Sequence, residues 1–248
     1  MPHLKVPMLF WGDTELLGKF SRAVAPLEIS NSGDTPFYCA DNMLLIYRHG
    51  GFRRDEKFAR AVERHATRPD DLMRAWRTHI VCGMVRSCMG LDGDLVEIGV
   101  ADGCTAAVIL DYVDGAADRP LWLYDAFDLP GAATATTDKP TLEYEAIQKK
   151  FAAYPNARIV RGVLPGALAE RGPAAIAFLH LDLGVAATEA AALDILLPKV
   201  EPGGIVLANC YGLTGGYAEI KAALDAVASR HGLFFTELPT GQGLLVNR

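Results

Sequence analysis

The chain has 248 residues, a formal net charge of −6 and an isoelectric point near 5.5, and 50% of its residues are hydrophobic. This length and composition predict a compact α/β domain with an elaborated terminus and a sizeable core. The acidic balance argues against a nucleic-acid backbone as the main partner, because such binding needs a basic surface.

The first part of the chain shows little periodicity. Turn signals within residues 1–50 predict irregular structure or short elements there. A charged helix is predicted over Arg54–His65 and a longer one over Asp70–Met89. In the longer helix apolar side chains recur every fourth position, which predicts one buried stripe. Its members are Leu72, Trp76, Ile80, Met84 and Cys88. We therefore expect a helical or irregular cap over residues 1–69. Covering a ligand site, packing and oligomer contact are alternative roles for it.

From Leu95 onward, apolar runs typical of strands alternate with amphipathic helical stretches. The predicted strands are Leu95–Val100, Leu121–Tyr124, Ala157–Val160, Ala175–Leu183 and Ile205–Ala208, and the predicted helices are Thr105–Val113, Leu142–Ala153, Gly166–Arg171, Ala187–Leu197 and Ala218–Arg230. Leu233–Leu238 and Leu244–Asn247 flank a turn and predict a hairpin. This order predicts an α/β, Rossmann-like, doubly wound domain over residues 70–248. Its mostly parallel seven-stranded sheet would end in an antiparallel hairpin.

The junction between the first of these strands and its helix is rich in glycine. Glu97, Gly99 and Gly103 form the pattern E-x-G-x-x-x-G. Glycines let a ligand approach the backbone closely, and a helix N-terminus offers unbonded N–H groups to a carboxylate or phosphate. Thr105 follows and either caps the helix or reaches the ligand. The spacing is not that of dinucleotide sites, and it resembles motif I of class I methyltransferases that use S-adenosylmethionine.

Acidic and imidazole side chains follow the strands at the edge where such sheets bind ligands. Asp125 ends the second strand, where a carboxylate can accept both hydroxyls of a ribose, although turn aspartates are also common there. His180 and Asp182 end the long apolar strand, and alternation places both side chains on one face. A buried histidine is often only a satisfied core group, but the pair at this edge favours a catalytic role.

The cysteines and the N-terminus bear on the compartment. The five cysteines show no C-x-x-C spacing, which favours reduced thiols over disulfides or a zinc site. The N-terminus lacks the pattern of a signal peptide, and no run approaches the ~18 apolar residues of a membrane span. We therefore expect a cytoplasmic protein without a membrane partner. Oligomeric state is left open, with a homodimer as one alternative.

Several segments together resemble the macrocin O-methyltransferase family across about residues 41–248. They are Asp41-Asn-Met43, Trp76-Arg-Thr-His79, Gly93–Gly99, Leu123–Phe127, Phe178–Asp182, Pro202-Gly-Gly204 and Leu238–Gly243. The resemblance implies a class I methyltransferase fold, S-adenosylmethionine as methyl donor and a hydroxyl of a sugar or secondary metabolite as acceptor. It also implies a magnesium ion, held by an aspartate after the fourth strand and an Asp-Asp pair after the fifth.

The chain departs from this implied metal site. Asp182 matches the first position, but Asn209 and Cys210 stand where the acidic pair would be. Magnesium prefers hard oxygen ligands, so an amide is a weak substitute and a thiol a poor one. We therefore assign no metal ligand in this chain.

These observations favour a small-molecule methyltransferase with weak or no metal binding. Glu97, Gly99, Gly103, Thr105, Asp125 and Asp182 are its expected cofactor residues, and His180 or Asp182 its expected base. Alternatively, the acceptor is a hydroxyl acidic enough to lose its proton with little help from a base, or it is an amine. A relative that binds the cofactor or a small molecule without methylating it is a second hypothesis. A nicotinamide-dependent oxidoreductase suits the fold but not the glycine spacing.

Overall fold

The computed structural model describes residues 4–27, 37–48, 50–129 and 144–248. The chain divides into two compact units, Met1–Ile80 and Val81–Arg248. Helix α4, Ala75–Cys88, crosses the boundary between them.

The first unit contains more regular structure than the sequence predicts. Its elements are α1 (Thr14–Val24), β1 (Phe37–Ala40), β2 (Met43–Ile46), α2 (Glu56–His65), α3 (Pro69–Met73) and the start of α4. The prediction of irregular structure or short elements before residue 50 was wrong for α1, which runs for 11 residues. The single predicted helix over Asp70–Met89 is also corrected, because the chain leaves helical geometry at Arg74, with φ −84° and ψ 9°.

A buried ion pair organises the first unit. Strands β1 and β2 pair antiparallel, and Asp41 and Asn42 join them with φ values of 53° and 58°, as short hairpin turns require. The Asp41 carboxylate accepts a hydrogen bond from Arg77 at 2.8 Å and another from the Trp11 indole at 3.0 Å. Removing one partner of such a pair would leave an uncompensated buried charge.

The buried face of α4 differs from the predicted stripe. Trp76, Ile80 and Met84 are only half-buried. The buried side chains of α4 are Ala75, Arg77, Thr78, Val81, Cys82, Val85 and Cys88. A helix turns by 100° per residue, so positions exactly four apart drift around its surface, and burial instead follows mixed spacings of three and four.

The second unit contains one seven-stranded sheet. Its strands are β3 (Asp94–Ile98), β4 (Leu121–Asp125), β5 (Ala157–Arg161), β6 (Ile176–Leu181), β7 (Val200–Ala208), β8 (Thr236–Glu237) and β9 (Gly243–Val246). They lie in the order β5-β4-β3-β6-β7-β9-β8, with β3 to β7 parallel and β9 antiparallel to both of its neighbours. This confirms the predicted doubly wound sheet and its terminal hairpin.

Helices connect the strands, and their bounds are α5 (Cys104–Tyr112), α6 (Tyr144–Lys150), α7 (Gly166–Glu170), α8 (Ala186–Leu196) and α9 (Ala218–Arg230). Residues 142 and 143 of the predicted helix Leu142–Ala153 lie outside the described residues. The strand order reverses at β3 and β6, and ligands bind such sheets beyond the carboxyl ends of strands at this point.

The core explains why β6 is a continuous apolar run. All six of its residues are buried. Leu179 and Leu181 belong to the main hydrophobic cluster, and so do Leu193 of α8 and Leu224 of α9. Alternation turns His180 to the opposite face.

The three tryptophans are divided between the units. Trp11 bonds Asp41, and the Trp76 ring packs edge-on against Tyr38 with centroids 4.7 Å apart. Trp122, on β4, donates to the Asp94 carboxylate at 2.8 Å. All five cysteines are buried and free of disulfides. Within the described ranges no helix is both long and apolar enough to span a bilayer.

Candidate active site

The loop between β3 and α5 packs against the chain that leaves β6. Gly99 has φ 89°, and a Cβ built on it would lie 2.6 Å from the carbonyl carbon of Asp182. Real Cβ atoms do not approach backbone so closely, and L side chains rarely adopt this φ. Gly99 is therefore required by the protein's own backbone, which fills the space beside it.

Asp125 holds this loop from the end of β4. Its Oδ2 accepts from the Ala101 backbone N–H at 2.9 Å, and its Oδ1 accepts from that of Phe127 at 3.0 Å. Ala101 has φ 51° and Phe127 has φ 50°, so the carboxylate stabilises two unusual backbone conformations. Asp125 is only half-buried, and each carboxylate oxygen can accept a second hydrogen bond.

Helix α5 begins with Gly103 in the left-handed conformation at its N-cap. Gly103 has no side chain to cap the helix, and the Asp102 carboxylate before it accepts from the Cys104 N–H at 3.0 Å. Thr105 is the second residue of the helix, which corrects its predicted capping role. Lys150 of α6 donates to the Asp102 carbonyl at 2.8 Å and adds a positive charge beside the loop.

Glu97 and His180 meet inside the sheet. They are register partners on β3 and β6, and Glu97 Oε1 lies 3.0 Å from His180 Nδ1. Their exposed fractions are only 2% and 1%. The His180 ring also stacks on Phe178. His180 Nε2 has no hydrogen-bond partner within the part of the chain that the structure describes. The two side chains therefore lie beneath the loop, within the core.

Asp182 and Cys210 follow β6 and β7. The Cys210 thiol lies 3.7 Å from Asp182 Oδ1 and donates to it. Asp182 is half-buried, whereas Cys210 is buried. The loop after Asp182 is fixed by Glu189 of α8, which is fully buried and accepts from the Gly184 N–H at 2.6 Å.

Asn209 belongs to a second set of contacts, with the terminal hairpin. Gln242 Nε2 donates to Asn209 Oδ1 at 3.1 Å, and the Thr240 hydroxyl donates to Gln242 Oε1 at 2.8 Å. The three residues are at most 7% exposed. We refer to Asn209, Gln242 and Thr240 as the amide relay. Among the described residues no group of three or more His, Cys, Asp or Glu side chains could hold a metal ion.

The structure thus brings the predicted site residues into three groups: Gly99, Gly103 and Asp125 around the glycine loop, Glu97 with His180 in the core, and Asp182 with Cys210 at the strand ends. Sequence reasoning missed Lys150, Glu189, Thr240 and Gln242 as polar residues of this region. Only the segment Leu238–Gly243, which contributes to the family resemblance, pointed to the last two.

The sequence of the second unit matches a known family. The family model described as Macrocin-O-methyltransferase (TylF) matches residues 81–233. No curated protein sequence matches the chain.

The solved structures that resemble this chain include three that are similar at low sequence identity. The O-methyltransferase NovP is 21% identical, with a TM-score of 0.61 over 71% of this chain and 81% of that one. CalS11, a TDP-rhamnose 3'-O-methyltransferase of calicheamicin biosynthesis, is 17% identical, with a TM-score of 0.53 over 77% and 91%. The SAH-bound methyltransferase PaMTH1 of Podospora anserina is 12% identical, with a TM-score of 0.52 over 97% and 98%. At these identities the likeness concerns the fold alone.

Proposed function

The chain belongs to the macrocin O-methyltransferase (TylF) family, and from this premise we propose that it transfers a methyl group from S-adenosylmethionine to an oxygen of a small-molecule acceptor. The observation that carries the proposal is the half-buried Asp125 carboxylate, which accepts one backbone N–H from the loop after β3 and one from the loop after β4 and retains acceptor capacity. That arrangement lies beside the strand-order reversal, where the fold binds nucleosides.

The residues around the loop fit S-adenosylmethionine. Asp125 would accept the two ribose hydroxyls of its adenosine part. Lys150 and the N-terminus of α5 would attract its carboxylate, because an ammonium group and the positive end of a helix dipole both favour an anion. When bound, the cofactor supplies an electrophilic methyl carbon. Glu97, Gly99 and Gly103 would act by keeping the loop in shape, and Thr105 lies in the first turn of α5.

The family's magnesium ion does not fit the residues at the ends of β6 and β7. The Asn209 oxygen already accepts from Gln242, and the thiol of Cys210 is a poor ligand for a hard cation. Of the three aspartate ligands that the family resemblance implies, only Asp182 is present. We therefore propose that this enzyme binds the acceptor without a divalent cation.

Of the two predicted bases, Asp182 is the better candidate. It is half-buried at the ligand edge, whereas His180 is 1% exposed and bonded to Glu97. A general base must come within hydrogen-bond reach of the proton that it accepts. We assign proton acceptance to Asp182, and to His180 a positioning role beneath the loop.

Calorimetry with S-adenosylhomocysteine tests the cofactor site. Asp125→Ala should weaken binding about 30-fold, or about 2 kcal/mol, because hydrogen bonds to a charged group are lost. Asp128→Ala is the matched control, since Asp128 is a partly exposed carboxylate three residues away that pairs with Arg161. Equal affinities for the wild type and Asp125→Ala would contradict the assignment, and no detectable binding by the wild type would contradict the function.

Release of S-adenosylhomocysteine in the presence of hydroxylated acceptors tests the chemistry. The rate should be unchanged by a chelator and should fall at least 100-fold in Asp182→Asn, which keeps the shape but removes the base. Because Asp182 is also among the expected cofactor residues, the rates should be compared at saturating S-adenosylmethionine. Complete loss of turnover on chelation would contradict the metal-free form of the proposal.

A further inference from the structure

The hydrogen bonds of the amide relay run from Thr240 through Gln242 to Asn209. The Gln242 side chain uses both ends of its amide. Its Oε1 accepts from the Thr240 hydroxyl, so its Nε2 is the atom directed to Asn209. Asn209 must then present Oδ1 to Gln242, because Nε2 can only donate. The Asn209 amide nitrogen consequently faces away from Gln242.

Asn209 lies beside Asp182 at the carboxyl edge of the sheet. Its backbone N–H donates to Leu181 at 2.7 Å, one residue before Asp182. His180 pairs with Leu207, so alternation along β6 and β7 places Asp182 and Asn209 on one face. A position that the family resemblance implies to be an acidic metal ligand therefore carries a hydrogen-bond donor.

A hydrogen-bond donor lowers the pKa of an acceptor hydroxyl much less than a metal ion does. A bound metal ion can lower the pKa of a coordinated oxygen acid from about 16 to about 7. A hydrogen bond to a charged group changes an acid dissociation constant by only about ten- to a hundred-fold, so it lowers the pKa of the acid by about 1 to 2. An aliphatic hydroxyl would stay far from ionisation at neutral pH. A phenol, whose pKa is about 10, would come within reach.

We propose that Asn209 donates a hydrogen bond to the acceptor oxygen, that Gln242 and Thr240 position it, and that the acceptor is an acidic hydroxyl of the phenol or enol class. The inference rests on the proposed function and names its substrate class. The acceptor O–H donates to Asp182, while the Asn209 N–H stabilises the charge that develops on the same oxygen.

The group transfer balances with these residues. The acceptor oxygen forms the new bond to the methyl carbon with one of its own electron pairs. The bond between that carbon and the sulfonium sulfur breaks, and the sulfur keeps the electron pair. The acceptor proton passes to the Asp182 carboxylate and then to solvent.

The experiment measures methylation of defined probes by the full chain in the presence of a chelator. The probes are para-substituted phenols of graded acidity, with cyclohexanol and methyl rhamnoside as aliphatic hydroxyls of similar ring size. Phenols should be methylated at least 100-fold faster than either aliphatic probe. Comparable rates for the aliphatic probes, or methylation of no phenol, would overturn the substrate class.

Variants of the amide relay test the positioning role. Thr240→Val removes the donor that orients Gln242, and Gln242→Glu removes the donor to Asn209; each should lower kcat/KM for the phenol about ten-fold, mainly through kcat. Thr240→Ser keeps the hydroxyl and should restore kcat/KM to within two-fold of the wild type. Gln148→Glu, the same substitution on the exposed side of α6, is the matched control.

Binding of S-adenosylhomocysteine separates this inference from the proposed function. The variants should bind it as the wild type does, since Thr240 and Gln242 lie in the terminal hairpin, whereas the residues assigned to S-adenosylmethionine lie at the ends of β3 and β4 and in α6. A kcat/KM for the phenol within two-fold of the wild type in Thr240→Val would overturn the positioning role, even if Gln242→Glu fails to fold. Loss of S-adenosylhomocysteine binding by the wild type would defeat the proposed function itself.

Discussion

At position 99 a single hydrogen atom in place of a side chain lets two loops touch. The loop after β3 and the chain after β6 carry different parts of the proposed site, and Gly99 brings their backbones together. Any side chain here must either push the two loops apart or force the backbone out of its left-handed conformation. The glycine of the motif is thus explained by contact within the protein before any ligand is considered.

Gly99→Ala should therefore lower the free energy of unfolding by about 3 kcal/mol, the sum of backbone strain and overpacking. Gly83→Ala is the matched control, because Gly83 lies inside α4 and a Cβ there meets nothing within 4 Å. Alanine at that helical position should stabilise the protein by about 0.5 to 1 kcal/mol. Denaturant unfolding measures both, and a loss below about 1 kcal/mol for Gly99→Ala would contradict the packing argument.

The buried thiol of Cys88 makes the free energy of unfolding decrease at alkaline pH. Burial raises its pKa from 9.0 to about 11, although a backbone hydrogen bond with Ile205 and the charge of Arg119 act in the opposite direction. A raised folded-state pKa means that the contribution is fully present below pH 9. It is lost as the pH rises toward 11, because the unfolded thiol ionises first.

Between pH 8 and pH 10.5 the wild type should therefore lose about 2 kcal/mol more stability than Cys88→Ala. The variant will be less stable at pH 8 because it leaves a small cavity, but the slope of its stability with pH is the informative quantity. Denaturant unfolding under reducing conditions at several pH values measures it. Parallel curves for the two proteins would show that Cys88 does not titrate in this range.

At the scale of elements, β9 shows how alternation ties the terminal hairpin to the core. Leu245 is completely buried in the main cluster and pairs with Val206, whereas its neighbour Val246 is 45% exposed. Leu245→Ala should cost about 2 to 5 kcal/mol of unfolding free energy, and Val246→Ala should cost less than about 1 kcal/mol. Thermal or denaturant unfolding compares them, and similar losses would mean that the hairpin face is assigned incorrectly.

The sequence predicted the strands of the second unit well for a physical reason. Strands that are covered on both faces, such as β6, form continuous apolar runs, and β9 alternates because one side of it is open. Helix α1 was missed because Gly18 and Ser21 lower its helix propensity, although Asp13 caps it. The face of α4 was misjudged because a spacing of four is not the period of a helix.

Residues of the candidate site were predictable only where they lie at the end of a strand. Asp125 and Asp182 were found because Asp125 ends a strand and Asp182 directly follows one. Lys150 and Gln242 were missed because their partners lie 48 and 33 residues away, and no local pattern links such residues. Buried polar contacts of this kind depend on the packing of the whole sheet.

At the scale of the molecule, the family model begins at Val81, the residue at which the second unit begins. Within that unit the protection of backbone amides against hydrogen exchange should decrease from the centre of the sheet to its edges. Strand β6 is entirely buried and has a parallel neighbour on each side, whereas both residues of the edge strand β8 are exposed.

Native-state hydrogen exchange should therefore show the amides of β6 exchanging only through global unfolding, and those of β8 exchanging through local opening at least 100-fold faster. The half-buried edge strand β5 should fall between them. Peptide-resolved mass spectrometry measures this order. Equal rates for β6 and β8 would contradict the graded stability of the sheet.

The division of the tryptophans gives the two units separate optical signals. Replacing Trp11 and Trp76 by phenylalanine leaves Trp122 as the single indole, so its emission reports on the second unit alone. The converse variant, Trp122→Phe, emits only from the first. Because Trp11 bonds the buried Asp41 carboxylate, Trp11 and Trp76 are better compared singly before they are combined. Thermal unfolding curves followed by the two emissions would then show whether the two units unfold in one cooperative transition or in two.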